Sequence, residues 1–499
     1  MAQCEYDISN PPLRCHRPTY QGSLCILHLP KLGNTPEMEA SFLAAMQAEM
    51  SVGNPRANIP LKGTEFSNTA SRRLGDLLAH GGQNVESVDL NGSVFWGDVW
   101  IFEKTLTMAI RLDHAQFKGA VKIRSSTFER RTHIKGAAVA GELNVQMCHF
   151  NEPLHWDGSK FQDRVTIVDC HFDEAHFPVA RLGGTFWCAR TSARIVSFQY
   201  SQFSRDATLR ELQADECNLE HAEVGEGARF TIRGGRDGGK WVLRSLRIGD
   251  KGSVVLDQVD LQRASFLRAD VTKFIFSEVR WERAKGRRRL HDETTVERAD
   301  MDALAANYRQ LVLNHEAIRD FESAEEFHVG EMEMRRTASR YLLRMPGVRG
   351  VAAWLRERHP RVFRCGRAVS GWINGYGLYY LVSKYGSNYW RAASVLALLI
   401  VAFAVGALYA GFAPVGDKGA GVIEYNLLRD SEHAPVSLEQ VGRDLGDAMV
   451  YVLESATFQR ERHFAALDNW GRLLVVAGTL LLPAQAALVL FALRRRFKR

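Results

Sequence analysis

The sequence predicts a mixed fold: a β-solenoid of short strands, then an α-helical arm, then two transmembrane helices with a short re-entrant or interfacial helix between them. Three observations carry this prediction. Apolar residues recur eleven positions apart in the first half of the chain, two long uncharged stretches lie near its end, and a half-apolar segment, Ala448 to Thr457, sits between those stretches. At 499 residues the chain is longer than one core supports, so several domains are expected.

The ladder consists of Phe95, Leu106, Phe117, Phe128, Val139, Phe150, Phe161 and Phe172. Six positions after the first seven come Ile101, Leu112, Ile123, Ile134, Val145, Trp156 and Ile167. A helix repeats apolar residues every three or four positions, so steps of five and six mean short strands joined by turns. Two positions before most ladder residues stands a small one: Ser93, Ala115, Ser126, Ala137, Cys148, Ser159 or Cys170. Further on, VDLQR, ASFLR, ADVTK and FIFSE follow in tandem from Val259.

These units resemble pentapeptide repeats. The resemblance implies a right-handed quadrilateral β-helix, with the Leu or Phe and the small residue stacked inside successive coils. It is expected over 85–282, interrupted by GGRDGGK at 234–240 and preceded by a helical or polar linker, 36–84. Cys148-His149 and Cys170-His171 stand two ladder steps apart and suggest a metal site on stacked coils, but the cysteines occupy the small interior position, so core packing is the expectation. Acidic and basic residues balance over this region, which argues against imitation of DNA. The long faces of a solenoid suit a partner protein or a small-molecule signal.

Cys4, Cys15, Cys25 and His28 fall in a segment, 1–35, too short for a core of its own. Three thiolates and an imidazole match a structural, tetrahedral zinc site, with His16 as an alternative ligand. The first residues, MAQCEYDISN, lack a basic-then-apolar leader, so the eight cysteines are expected on a reduced, cytosolic side.

In the arm, 283–345, Tyr308, Leu311, Ile318, Phe321, Ala324 and Phe327 recur at helical spacing, which predicts two helices with a turn near Arg319-Asp320. The acidic residues Glu325, Glu326, Glu331 and Glu333 are read as a solvated face rather than a metal site. Basic juxtamembrane helices are expected over 346–389.

The two uncharged stretches, Ala392 to Phe412 and Leu473 to Leu493, each reach about 31 Å as helices, enough to cross a hydrocarbon layer. Arginines precede the first and RRRFKR follows the second, whereas the intervening loop is acidic. The positive-inside rule then puts both termini and the solenoid in the cytoplasm, and the basic clusters point to membrane lipid rather than nucleic acid. Pro483 and Gln485 lie inside the second stretch, so this span either kinks toward a pore or buries the glutamine between helices.

A Tyr-Arg-x-Leu helix, the segment EMEMRR, the segment LYYLVSKYG and two spans follow the repeats in that order. The order is similar to that of bacterial membrane-anchored pentapeptide-repeat proteins with a C-terminal two-span ion-channel-like domain, here 390–499. The resemblance implies an inner-membrane homo-oligomer, a tetramer by analogy, that conducts ions under control of the cytosolic part. Its pore-lining candidates are Glu454, Thr457, Phe458, Gln459, Arg460, Glu461 and Gln485. No glycine follows Thr457 until Gly471, so a carbonyl filter for potassium is not expected. The rivals are a non-conducting anchored scaffold and a membrane-disrupting effector. No nucleotide loop, nucleophile motif or spaced carboxylate pair suggests an enzyme.

Overall fold

Phe128 pairs in parallel with Phe150, and Phe95 with Phe117, so each coil spans two ladder steps and each step is half a coil. The computed structural model describes residues 35–51, 57–80, 85–338, 375–415, 422–424, 438–457 and 463–497. It divides into two compact units, Met1–Ile318 and Arg319–Arg499.

Each coil of the first unit has four sides. Strands Val94–Phe95, Gln116–Phe117 and Ala138–Val139 belong to one nine-stranded parallel stack, and Val99–Phe102, Val121–Arg124 and Leu143–Gln146 belong to another. The two remaining sides join into a twelve-stranded sheet, because strand His171–His176 pairs with both His149–Phe150 and Leu154–His155. The corner there is shorter by one position, which turns two sides into one strand, and Phe172 accordingly pairs with Ala193 in a tighter coil. The last coil, Val254 to Phe274, is tighter again, and it overlaps the tandem five-residue units that begin at Val259.

The ladder residues and the small residues two positions ahead of them are buried together. Stacking is direct: the rings of Phe128 and Phe150 are 4.5 Å apart, and those of Phe150 and Phe172 are 4.9 Å apart. Small interior hydroxyls take up carbonyls of the coil before, as where Ser159 Oγ donates to Ile134 O at 2.6 Å. The chain turns one corner of each half coil in the left-handed region, at Glu103 (φ 53), His114 (φ 60), Ser125 (φ 49), Gly136 (φ 65), Met147 (φ 52) and Gly158 (φ 65).

The solenoid begins earlier than the ladder indicates. Ala57–Pro60 and Glu65–Phe66 already pair with the coil that follows, so the segment expected to be a linker contains part of a coil. The connection from Phe66 to its partner Phe95 is longer than an ordinary coil, because helices α2 (Asn68–Arg72) and α3 (Leu74–His80) stand where strands would continue. Gly75 lets α3 lie on the first open strand edge: a Cβ there would sit 2.8 Å from Trp100 O. Helix α1 (Pro36–Ser51) closes the end, with Phe42 edge-on to Phe66 at 5.6 Å. The glycine-rich segment at 234–240 does not break the stack either, since Phe230 pairs with Val254 and Cys217 with Trp241 across it.

At the other end a hairpin, Glu282–Ala284 with Arg287–Arg289, leads to α4 (Asp292–Thr295) and α5 (Met301–Ala317). Three amides on one face of α5 satisfy the last coil's backbone. Asn307 accepts from Arg268 N–H at 2.9 Å, Gln310 accepts from Val271 N–H at 3.0 Å, and Asn314 donates to Phe274 O at 2.6 Å. Asp292 accepts from Phe266 N–H at 2.7 Å. An edge covered this way cannot template another strand.

The second unit holds α6 (Phe321–Ala338), α7 (Gly375–Ser383), α8 (Tyr389–Ala410), α9 (Leu438–Ala456) and α10 (Asn469–Phe497). Two of them, α8 and α10, are long and apolar enough to cross a membrane. Gly411 (φ 74) ends α8 just before Phe412, the last residue of the uncharged stretch, and α10 runs through Pro483. Phe412–Pro414 then pairs antiparallel with Phe464–Ala466.

Candidate functional site

Among the described residues, two surfaces are left without a partner, one on each unit. In the second unit α8, α9 and α10 pack on one another around Ala404, Ala407, Leu408, Ala448, Val452 and Leu482. Close approach comes from small residues: a Cβ on Gly406 would be 3.2 Å from Leu474, and one on Gly478 would be 3.7 Å from Phe403. Among the described residues, nothing covers the opposite faces of the long helices. Leu398, Val401 and Val405 of α8, like Leu473, Val476 and Leu480 of α10, are exposed at helical spacing. Only 22% of the apolar window of α8 and 17% of that of α10 is buried.

The C-terminal turns of α9 meet the end of α8 and the start of α10. Tyr451, Val452 and Ser455 share a small cavity with Ala407, Gly411 and Gly471. Ser455 Oγ is buried there and, among the described residues, has no hydrogen-bond partner. Tyr451 stacks on Phe412 at 5.2 Å, and the Phe464 ring meets Phe412 edge-on at 5.3 Å. The buried Glu454 carboxylate accepts from His463 N–H at 3.1 Å and is also bonded to His463 Nδ1.

These contacts hold the end of α9 beside the strand pair that closes the span ends. Thr457 is exposed, and its hydroxyl donates to Leu453 O at 2.9 Å. It stands three residues after Glu454, at the same end of α9. Gln485 is buried between the long helices, where Nε2 donates to Ala392 O at 2.8 Å. Of the candidate pore residues, Glu454 and Gln485 are thus engaged in bonds within the chain. Phe458, Gln459, Arg460 and Glu461 lie outside the described residues, as do Cys4, Cys15, Cys25 and His28.

At the other end of the spans, Tyr385 is buried and donates to Glu333 of α6 at 3.1 Å. Burial, then the nearby Glu333 carboxylate, hold its phenol above the ordinary range. Three consecutive left-handed residues, Lys384 (φ 50), Tyr385 (φ 59) and Gly386 (φ 75), make the turn from α7 into α8. Nothing in the pattern of LYYLVSKYG signals this turn except the glycine.

On the solenoid, the side that includes Val99–Phe102 presents an uncharged column from Thr166 onward, with Lys122 at the same position two coils earlier. Thr166, Trp187, Thr208, Thr231, Val255 and Ile275 are successive partners along it and none is buried. Another side carries stacked imidazoles, His133 on His155 at 5.2 Å and His155 on His176 at 5.0 Å. Cys148 and Cys170 point inward and are buried, whereas His149 and His171 are exposed, so the two Cys-His pairs do not converge on one point. Among the described residues no group of three or more metal-ligating side chains is brought together.

No family model matches the chain, and neither a curated protein nor a solved structure does.

Proposed function

We propose that the chain is a membrane-anchored interaction scaffold, in which α8 and α10 cross a bacterial inner membrane and the solenoid offers its uncharged column to a partner protein on the cytosolic side. The observation that carries this reading is the bare apolar face of both long helices. A core helix of a soluble protein covers such a face, and lipid is the solvent that covers it here. RRRFKR at the end of α10 supports the cytosolic side for both termini. The reading includes no catalysis. It keeps Cys4, Cys15, Cys25 and His28 as a structural zinc site, so metal analysis of the full chain should find about one zinc, lost with Cys25→Ser.

Oligomeric ion conduction is the second reading. What favours it is the outward face of α9, where Glu439, Arg443 and Asp447 are exposed on a helix packed against both spans. Lipid solvates such charges poorly, so they suit a water-filled passage between copies, one without potassium selectivity. Purified full chain in planar bilayers decides between the two. The scaffold predicts no unitary current; a current that changes with Asp447→Asn replaces it with the pore. Release of the full chain from membranes washed at alkaline pH would remove both.

A further inference from the structure

Helix α7 packs on α6, α8 and α10, yet Leu378 (61% exposed) and Leu381 (49%) point away from all three. They form a stripe on a nine-residue helix that no other described residue covers. Scattered exposed leucines carry no meaning, but these have neighbours. Trp390, in the first turn of α8, is 68% exposed, and Leu490 and Phe491 are exposed on α10. A Cβ on Gly386 would lie 3.4 Å from the Phe491 ring, so the turn after α7 and this part of α10 lie side by side.

The angle between α7 and α8 is fixed rather than loose. Tyr385 is buried in the left-handed turn, Arg391 lies over the Tyr380 ring at 5.1 Å, and Arg391 Nε donates to Leu381 O at 2.9 Å. The apolar stripe is therefore held beside the start of the span, next to the cations Lys384 and Arg391.

We propose that α7 lies in the headgroup–acyl boundary of the bilayer on the side where α10 ends, with Leu378 and Leu381 among the acyl chains. An amphipathic segment next to a span, with an exposed tryptophan at the junction and cations at headgroup level, fits a lipid surface. The patch continues the bare apolar surface of α8 and α10, which is what distinguishes lipid from a separate protein partner. Through the Tyr385–Glu333 bond, α6 is tied to this interfacial helix. The proposal rests on the membrane reading of α8 and α10.

The test uses the full chain in vesicles of phosphatidylethanolamine and phosphatidylglycerol, with a photoreactive side chain installed singly at Leu378, Leu381, Leu398 or Glu129. Lipid adducts are expected at Leu378, Leu381 and Leu398, and not at the solenoid position Glu129. Adducts at Leu398 alone overturn the interfacial assignment while leaving the spans in place. Adducts at Leu378 that join two chains, or that join it to residues 339–374, also overturn it, by showing a second copy or the chain itself as the cover. Loss of the lipid adduct at Leu398 removes the membrane reading, and the proposal with it.

Discussion

The solenoid and the span bundle use apolar residues in opposite directions. In the solenoid every ladder residue from Phe95 to Phe172 faces inward, and the strand edges at both ends are covered by helices. In the bundle Ala404, Ala407, Ala448 and Ala456 share the interior with Leu408, Phe412, Tyr451, Val452 and Leu482, while Leu398, Val401, Leu473, Val476 and Leu480 face out. Water drives the first arrangement by excluding apolar area, whereas lipid is as apolar as leucine and leaves close contact of small residues to hold helices together. The same residue type therefore carries large or small energetic weight according to its solvent.

The sharpest way to break that comparison is to truncate one side chain in each region. Phe150→Ala should destabilise the solenoid by about 3 to 5 kcal/mol, since it leaves a cavity between Phe128 and Phe172. Leu398→Ala, on the bare face of α8, should leave thermal unfolding in lipid nanodiscs nearly unchanged. Equal losses, followed by circular dichroism of the full chain, would mean that the outward face of α8 is packed against protein.

Inside the bundle a polar group should matter more than a leucine. Gln485→Leu removes the bond to Ala392 O and should cost about 0.6 to 2 kcal/mol, read as a lowered midpoint for separation of the spans in a denaturing detergent titration. An unchanged midpoint would mean that the glutamine contributes nothing between the helices.

Much of the first region is legible in the sequence because its chemistry repeats: the spacing of Phe117, Phe128 and Phe150 is enough to mark the coil length. The start at Ala57 is hidden, since α2 and α3 replace strands and break the period between Phe66 and Phe95. The edge amides Asn307, Gln310 and Asn314 look like ordinary helix surface until the last coil is placed under them. In the bundle the span positions follow from composition alone, but the partner of Glu454 does not. His463 comes nine positions later, beyond the helix, and no periodicity links the two. Tyr385 and Glu333 are 52 residues apart and are legible only as two unrelated segments.

On the solenoid surface the comparison extends to pH. Burial chiefly holds His133 and His155 below the ordinary value of 6.5, with the neighbouring imidazoles and cations adding to this for His155 and the cations alone for His133; Asp113 and Asp157 act in the opposite direction. The unfolded chain thus binds protons more readily than the folded one. This contribution to stability is fully present above pH 6.5 and is lost as pH falls below it, through the lowered values of the folded protein. Both rings are partly exposed, so the effect should be modest. Melting between pH 7.5 and 5 should show a decline that flattens in the double variant His133→Gln, His155→Gln; an undiminished decline would place the acid sensitivity elsewhere.

The smallest expected effect concerns the corners. Most non-glycine corner residues of the solenoid are polar or charged, but Val179 (φ 59) is β-branched, exposed, and held in the left-handed region. That conformation costs an L-residue about 1 to 2 kcal/mol, and more for a branched side chain, whereas glycine adopts it freely. Glycine loses about 0.5 to 1 kcal/mol more backbone entropy on folding, which offsets part of the gain. Val179→Gly should therefore stabilise the solenoid by up to about 1 kcal/mol. The reverse change at a matching corner, Gly158→Val, starts from φ 65 with no atom within 4 Å of the new Cβ, so it should lose a similar amount through backbone strain alone. If Val179→Gly destabilises, the valine methyls make contacts that outweigh the strain, and the corners are not the interchangeable positions their shared geometry implies.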